Sequence, residues 1–171
     1  ARTYGVRRSL YEAFNMILLT LLDSSSEQIL KPIIYKYTIG KAKNVKSIIK
    51  RIPPRPSHLS ADRVIQFAYY WLEKGEFDVV EQPHYIITPF VEKNLMNLVR
   101  ATLSKRFPIL IQGPTSSGKT SMITYLAKIT GNKVIRINNH EHTDLQEYLG
   151  SYVSDSETGK LVFKHGPLIE A

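Results

Sequence analysis

The sequence predicts an α/β chain in two parts, a small all-α unit followed by a core built on a parallel sheet. Two observations carry this expectation. Residues 107–112 form a short apolar run that leads through a Gly/Ser-rich loop into an amphipathic helix and then into a second apolar run at 134–138. Strand, loop, helix, strand is the crossover unit of a parallel sheet. The charge is also divided. Residues 1–60 hold 11 Lys/Arg against 3 Asp/Glu, a net of +8, whereas residues 61–171 hold 12 of each. Differently charged stretches point to separate structural units.

The expected boundaries are a helical unit over 1–42, a basic, proline-containing linker over 43–83, and the core over 84–171. In the first unit Leu10, Phe14, Ile17, Leu18, Leu21 and Leu22 recur at three- and four-residue spacing, which predicts a helix over 7–22 with that face inward. Asp23-Ser24-Ser25-Ser26 breaks the pattern, and a serine there can cap a second helix over about 27–37. Ile29, Leu30, Ile33 and Ile34 would point inward, Pro32 would lie near the start, and Gly40 would end it.

In the linker, Lys41, Lys43, Lys46, Lys50, Arg51 and Arg55 occur with no acid between 41 and 60, and Pro53, Pro54 and Pro56 stiffen the chain against helix. Basic side chains can neutralise nucleic-acid phosphates, but a solvated connector is the simpler reading, and direct RNA contact is not the expectation. The aromatics Phe67, Tyr69, Tyr70 and Trp71 fit helix or strand equally and lack an RNA-binding pattern, so packing onto a neighbouring unit is expected.

In the core, Thr88 can cap a helix that starts at Pro89 and turns Val91, Leu95, Leu98, Val99 and Leu103 inward. The next helix runs over 119–129 and closes at Gly131. Gly159 and Gly166 bracket Lys160 to His165, which predicts a hairpin-like insert over 156–168.

Several classes are excluded. There is no run of eighteen apolar residues to cross a membrane, and a signal peptide is not expected. The absence of cysteine rules out disulfides and thiolate-bound metal, and fits a reducing compartment. The opening Ala1-Arg2-Thr3 lacks an initiator Met, as in a cut from something longer.

The chemistry lies in Gly113-Pro114-Thr115-Ser116-Ser117-Gly118-Lys119-Thr120, which matches G-x-x-x-x-G-K-[ST]. A polyphosphate must sit against backbone N–H groups, so small residues are needed where the chain approaches it. The helix opening at Lys119 points its positive end at the phosphates. Lys119 would reach the β- and γ-phosphates of ATP, and the Thr120 hydroxyl would bind Mg²⁺. An ordinary Gly/Ser turn could match by chance, but the apolar run before it and the amphipathic helix after it favour a phosphate-binding loop of the P-loop NTPase kind.

Hydrolysis commonly also needs an acid that ends a second apolar strand. Within residues 121–171 no four apolar residues run into Asp or Glu; the best candidate ends in Asn138 and Asn139. The acidic strand of a hydrolytic pocket is therefore expected beyond Ala171. No residue is assigned to catalysis, and this stretch alone is expected to lack ATPase activity. His140 and His142 flank Glu141, but their spacing and the lack of a third ligand disfavour metal. A place near the nucleotide or a module boundary suits them better.

Two longer stretches carry a resemblance. RFPILIQGPTSSGKTSMITYLAK and RINNHEHTDLQEYLGSYV are similar to the dynein-related AAA+ ATPases of ribosome assembly, the second far more specifically than the first. GKLVFKHGPLIEA, YWLEKG and YIITPFVEKNL resemble parts of the same modules, and GVRRSLYEAF resembles the opening of a preceding module's helical lid. Nearly the whole chain is covered, from the lid of a first module into the front of a second.

The resemblance implies tandem modules of one chain closed into a pseudo-hexameric ring, using ATP and Mg²⁺ as a remodelling chaperone. The ring would release assembly factors from pre-60S ribosomal particles in the nucleus, both nucleolus and nucleoplasm. It implies that Ile86 and Ile87 lie near adenine. It also implies that Arg8, or Arg7 if the match shifts by one, senses the nucleotide of the preceding module. Arg8 and Lys119 would then serve different nucleotides, and residues 1–40 would meet 84–171 through apolar surfaces such as Ile17, Leu18 and Leu21. The alternatives are a P-loop kinase-type phosphotransferase, disfavoured because its lid would follow the loop, and a nucleotide-binding module without turnover.

Overall fold

The computed structural model describes residues 5–40, 45–105, 107–141 and 143–170. Helix α1 spans Val6–Phe14 and runs on through a π-helical turn, Asn15–Leu19, in which the Thr20 N–H donates to Asn15 O at 3.3 Å. The wider turn brings Leu19 into line with Asn15 on one face. That face differs from the expected one. Arg8, Tyr11, Asn15 and Leu19 are buried, whereas Leu10, Phe14, Ile17, Leu18 and Leu21 are exposed. Apolar spacing predicts which residues share a face, but the turn and a set of polar partners decide which face is covered.

Helix α2 spans Ser24–Thr38. Its cap is Asp23, whose carboxylate accepts from the Ser25 and Ser26 N–H groups, rather than a serine. The earlier start leaves Pro32 inside the helix instead of near its beginning. Gly40, at φ +86°, closes it as expected, its N–H donating to Tyr35 O at 3.1 Å. Of the four inward candidates only Ile34 is buried; it joins Tyr11, Leu19 and Ile39 in a small core, with the Tyr11 and Tyr35 rings stacked at 5.0 Å.

The linker is not without structure. Helix α3 occupies Val45–Lys50, just before the prolines, with Ile48 and Ile49 against the small core. The expected helix-breaking acts only from Pro53 onward. Lys41 and Lys43 lie outside the described residues. Strands β1 (Val64–Phe67) and β2 (Tyr70–Glu73) then form an antiparallel hairpin with Phe67 opposite Tyr70.

The hairpin packs into the larger core with helices α4 (Pro89–Ser104) and α5 (Lys119–Thr130). Its centre is Tyr70, Leu72, Leu95, Leu98, Val99, Met122 and Leu126. Helix α4 follows the sequence reading: Thr88 Oγ1 accepts the Val91 N–H, Pro89 opens the helix, and Leu95, Leu98 and Val99 are buried. Helix α6 (Leu145–Leu149) leads into strand β3 (Gly150–Ser154), which pairs antiparallel with β4 (Leu161–His165). The expected insert is thus a hairpin, but it begins earlier, at Gly150, with its turn over 155–160.

The sheets among the described residues are these two antiparallel pairs. A parallel sheet is absent there. Residues 107–112 and 134–138 form neither strand nor helix and share no ladder, and Phe107, Ile109, Leu110 and Val134 are exposed rather than buried. Apolar, β-branched composition favours a strand, yet a strand exists only where a second chain segment supplies its hydrogen bonds. Ala171, beyond which the acidic strand is expected, lies outside the described residues.

Candidate phosphate-binding site

The loop Gly113 to Thr120 lies at the surface between the apolar run 107–112 and helix α5. Two residues adopt the left-handed backbone that wraps it, Ser116 at φ 62° and Gly118 at φ +83°. Gly118 is the N-cap of α5, and a Cβ added there would meet nothing within 4 Å, so its requirement is conformational. The Gly118 carbonyl accepts the Met122 N–H at 3.0 Å, while the Ser117 N–H reaches Pro114 O at 3.4 Å. The first-turn N–H groups of a helix lack intrahelical partners, and the positive end of a twelve-residue helix lies directly after this loop.

Lys119 curls over this loop. Its Nζ donates to Gly113 O at 2.9 Å, Pro114 O at 2.5 Å and Ser117 Oγ at 3.4 Å. An ammonium satisfied by nearby carbonyls can transfer its three donors to phosphate oxygens without a long search. Thr120 is exposed one residue further on, where its hydroxyl is open to a hydrated cation. Donor N–H groups, a lysine and a hydroxyl suit Mg²⁺-bound polyphosphate. An acidic partner for the metal is not assigned among the described residues, and its expected place, past Ala171, is not among them.

Aromatic stacking fixes the segment before α4, a feature that sequence spacing did not reveal. The Tyr85 ring stacks on Tyr125 of α5 at 4.2 Å, and Phe67 meets Tyr125 edge-on at 6.4 Å. Partial burial raises the pKa of both Tyr85 and Tyr125. Ile86 and Ile87 follow directly and are both exposed, so neither is used by the core. A cavity of ≈ 710 Å³ is lined by Trp71, Leu98, Leu103, Ile109, Ile111 and Leu126 among others, and by no residue of the loop 113–120. Shape alone therefore does not select the site.

His140 is exposed, its N–H donating to Thr143 Oγ1 at 2.8 Å; His142 lies outside the described residues. Asn138 accepts from Arg136 Nε at 3.0 Å, and Asn139 accepts from the Tyr148 hydroxyl at 2.5 Å. No cluster of three or more potential metal ligands exists among the described residues.

Arg8 is placed elsewhere. It is 3% exposed, with Nη1 on Arg51 O and Nη2 on Tyr69 O at 3.2 Å. It also lies 3.7 Å from the Glu12 carboxylate and 5.6 Å from the Tyr70 ring centroid. Its neighbour Arg7 is exposed, with Nη1 at 3.4 Å from Ile39 O. Arg8 is thus a buried, partnered side chain and not a loose surface charge.

Residues 1–41 match the family model described as Midasin AAA lid domain. A midasin from Dictyostelium discoideum is 44% identical over 99% of this chain and 3% of its own length. One from Giardia intestinalis is 36% identical over 96% of this chain and 4% of its own length. The replication factor C large subunit of Nanoarchaeum equitans (strain Kin4-M) is 27% identical over 74% of this chain and 28% of its own length. The chain therefore spans 3% and 4% of the two midasins it matches.

Proposed function

This chain belongs to the midasin family of AAA+ ATPases, and we propose that it carries the lid of one module followed by the phosphate-loop half of the next. The observation that carries the reading is the order of parts. The lid match covers residues 1–41, and the phosphate loop follows at 113–120 with Lys119 poised over it. A kinase-type phosphotransferase would place its lid after its loop.

ATP·Mg²⁺ would bind with its phosphates on the loop N–H groups and Lys119, its metal at Thr120, and its adenine beside Ile86 and Ile87. The bound nucleotide supplies the phosphoryl bond whose hydrolysis drives rearrangement in this class of machine. This chain's residues bind and orient it. Turnover belongs to the complete protein, a ring of such modules in one chain. The ring acts in the nucleus on pre-60S ribosomal particles and releases assembly factors from them. The exposed apolar side chains of α1 and the turns that follow it, Val6, Leu10, Phe14, Ile17 and Leu21, support a further covering partner such as the core preceding the lid.

A module that binds nucleotide without turnover is the second reading, because within residues 121–171 no run of four apolar residues ends in an acid. The test is Lys119→Ala in the complete protein. Loss of nucleotide binding together with pre-60S particles that retain their assembly factors supports a working pocket. Lost binding with normal release supports the silent one. Undiminished binding rejects the site.

A further inference from the structure

The most densely connected polar cluster among the described residues lies away from the phosphate loop. Glu12 of α1 is 15% exposed and faces three groups from separate parts of the chain. It accepts from the Tyr70 hydroxyl at 2.8 Å and from Arg100 Nε at 2.5 Å, and Arg8 Nε lies 3.7 Å away. Arg100 Nε also donates to Tyr70 Oη at 2.9 Å, and Arg100 Nη1 donates to Asn97 Oδ1 at 2.8 Å. Both guanidinium groups flank the Tyr70 ring, at 5.6 and 5.9 Å from its centroid. Arg8 in turn holds main-chain carbonyls of Arg51, at the proline-rich turn, and Tyr69, at the hairpin turn.

We propose that Arg8, Glu12, Tyr70 and Arg100 form a latch that fixes the lid helix onto the unit that follows it, with Arg8 a positioning residue there. One carboxylate between two guanidinium groups in a covered site is stable only while all partners are present, because a lone buried charge is costly. The latch is therefore two-state: it holds α1 against both the hairpin and α4, or it opens and hydrates. Helix α4 shares its core with α5, the helix that begins at Lys119. The lid of one module is thus tied through two packed helices to the phosphate loop of the next. An Arg8 committed to this latch has its donors on the Arg51 and Tyr69 carbonyls and its charge beside Glu12, whereas the exposed Arg7 places one donor on Ile39 O.

The test is hydrogen exchange on the nucleotide-free 171-residue chain, so that its outcome is independent of whether the loop binds ATP. Glu12→Gln and Arg8→Gln are each expected to raise exchange at residues 10–14 about tenfold while residues 122–130 stay protected. Glu12→Gln combined with Arg100→Gln should add little to either alone, since both break one network. Unchanged exchange at 10–14 in either single variant, or fully additive effects in the double, would overturn the latch. Should Glu12→Gln also expose 122–130, Glu12→Asp decides: near-wild-type protection supports the latch, and loss equal to that of Gln overturns it.

Discussion

Glu12 and Arg100, 88 positions apart in sequence, meet at 2.5 Å between α1 and α4. A second ion pair repeats the pattern, with Glu27 of α2 2.5 Å from Lys93 of α4. The contact between the lid and the following unit thus includes charged bridges, where an apolar interface through Ile17, Leu18 and Leu21 was expected. Those three side chains remain exposed. Helix α4 turns its leucines and valines toward α5, leaving Lys93 and Arg100 for the lid.

The pairing of Glu27 predicts a pH dependence. The hydrogen bond from Lys93, with Lys31 assisting, holds the Glu27 carboxyl below its ordinary range. Its folded pKa is depressed, so the stability it contributes is present above the unfolded value of about 4.3. That contribution is lost as pH falls through the lower, folded value. The thermal midpoint should fall as pH drops below about 4, and Lys93→Met should flatten that fall. Some slope will remain, because Asp23 (lowered to about 2), Asp62 and Asp155 are also depressed by local hydrogen bonds, and Glu73 by the hydrogen bond from Lys105. Identical pH profiles for the two proteins would remove Glu27 from the account.

Lys119→Ala should weaken binding of ATP·Mg²⁺ at least about a hundredfold, since hydrogen bonds to charged groups contribute about 1.5–3 kcal/mol each and several are lost. The thermal midpoint without nucleotide should barely move, because the Lys119 contacts are confined to the exposed loop. Calorimetric titration and a melting curve check both halves.

Gly118→Ala tests the loop's backbone alone. Open space surrounds the new methyl, so the cost is the left-handed φ of +83°, about 1–2 kcal/mol. Nucleotide affinity should fall as the loop relaxes toward other conformations. A variant as stable as the parent, with unchanged affinity, would mean that the loop does not need this conformation.

Gly75→Ala should be worse for stability, for a different reason. The Gly75 N–H donates to Thr130 O at 2.8 Å, and a Cβ there would stand 2.1 Å from Gly131 O. Backbone must move at the end of α5, which costs about 1–3 kcal/mol or more. Denaturant unfolding should show a lower midpoint, with the transition otherwise two-state.

The sequence by itself determined the local structure wherever the cause is local. Thr88 and Pro89 open α4, Gly40 and Gly131 close α2 and α5, and Gly118 with Lys119 marks the phosphate loop, because caps and left-handed turns depend on a few adjacent residues. Tertiary structure decided what depends on partners from afar. Runs 107–112 and 134–138 read as strands, yet form no ladder with each other, because a ladder needs a neighbour that apolar composition cannot name. The apolar face of α1 read as inward, yet its polar face is covered, because Tyr35, Arg51, Tyr69, Tyr70 and Arg100 converge on it from five different positions. Periodicity assigns residues to faces; only folding brings a carboxylate at position 12 to a guanidinium at position 100.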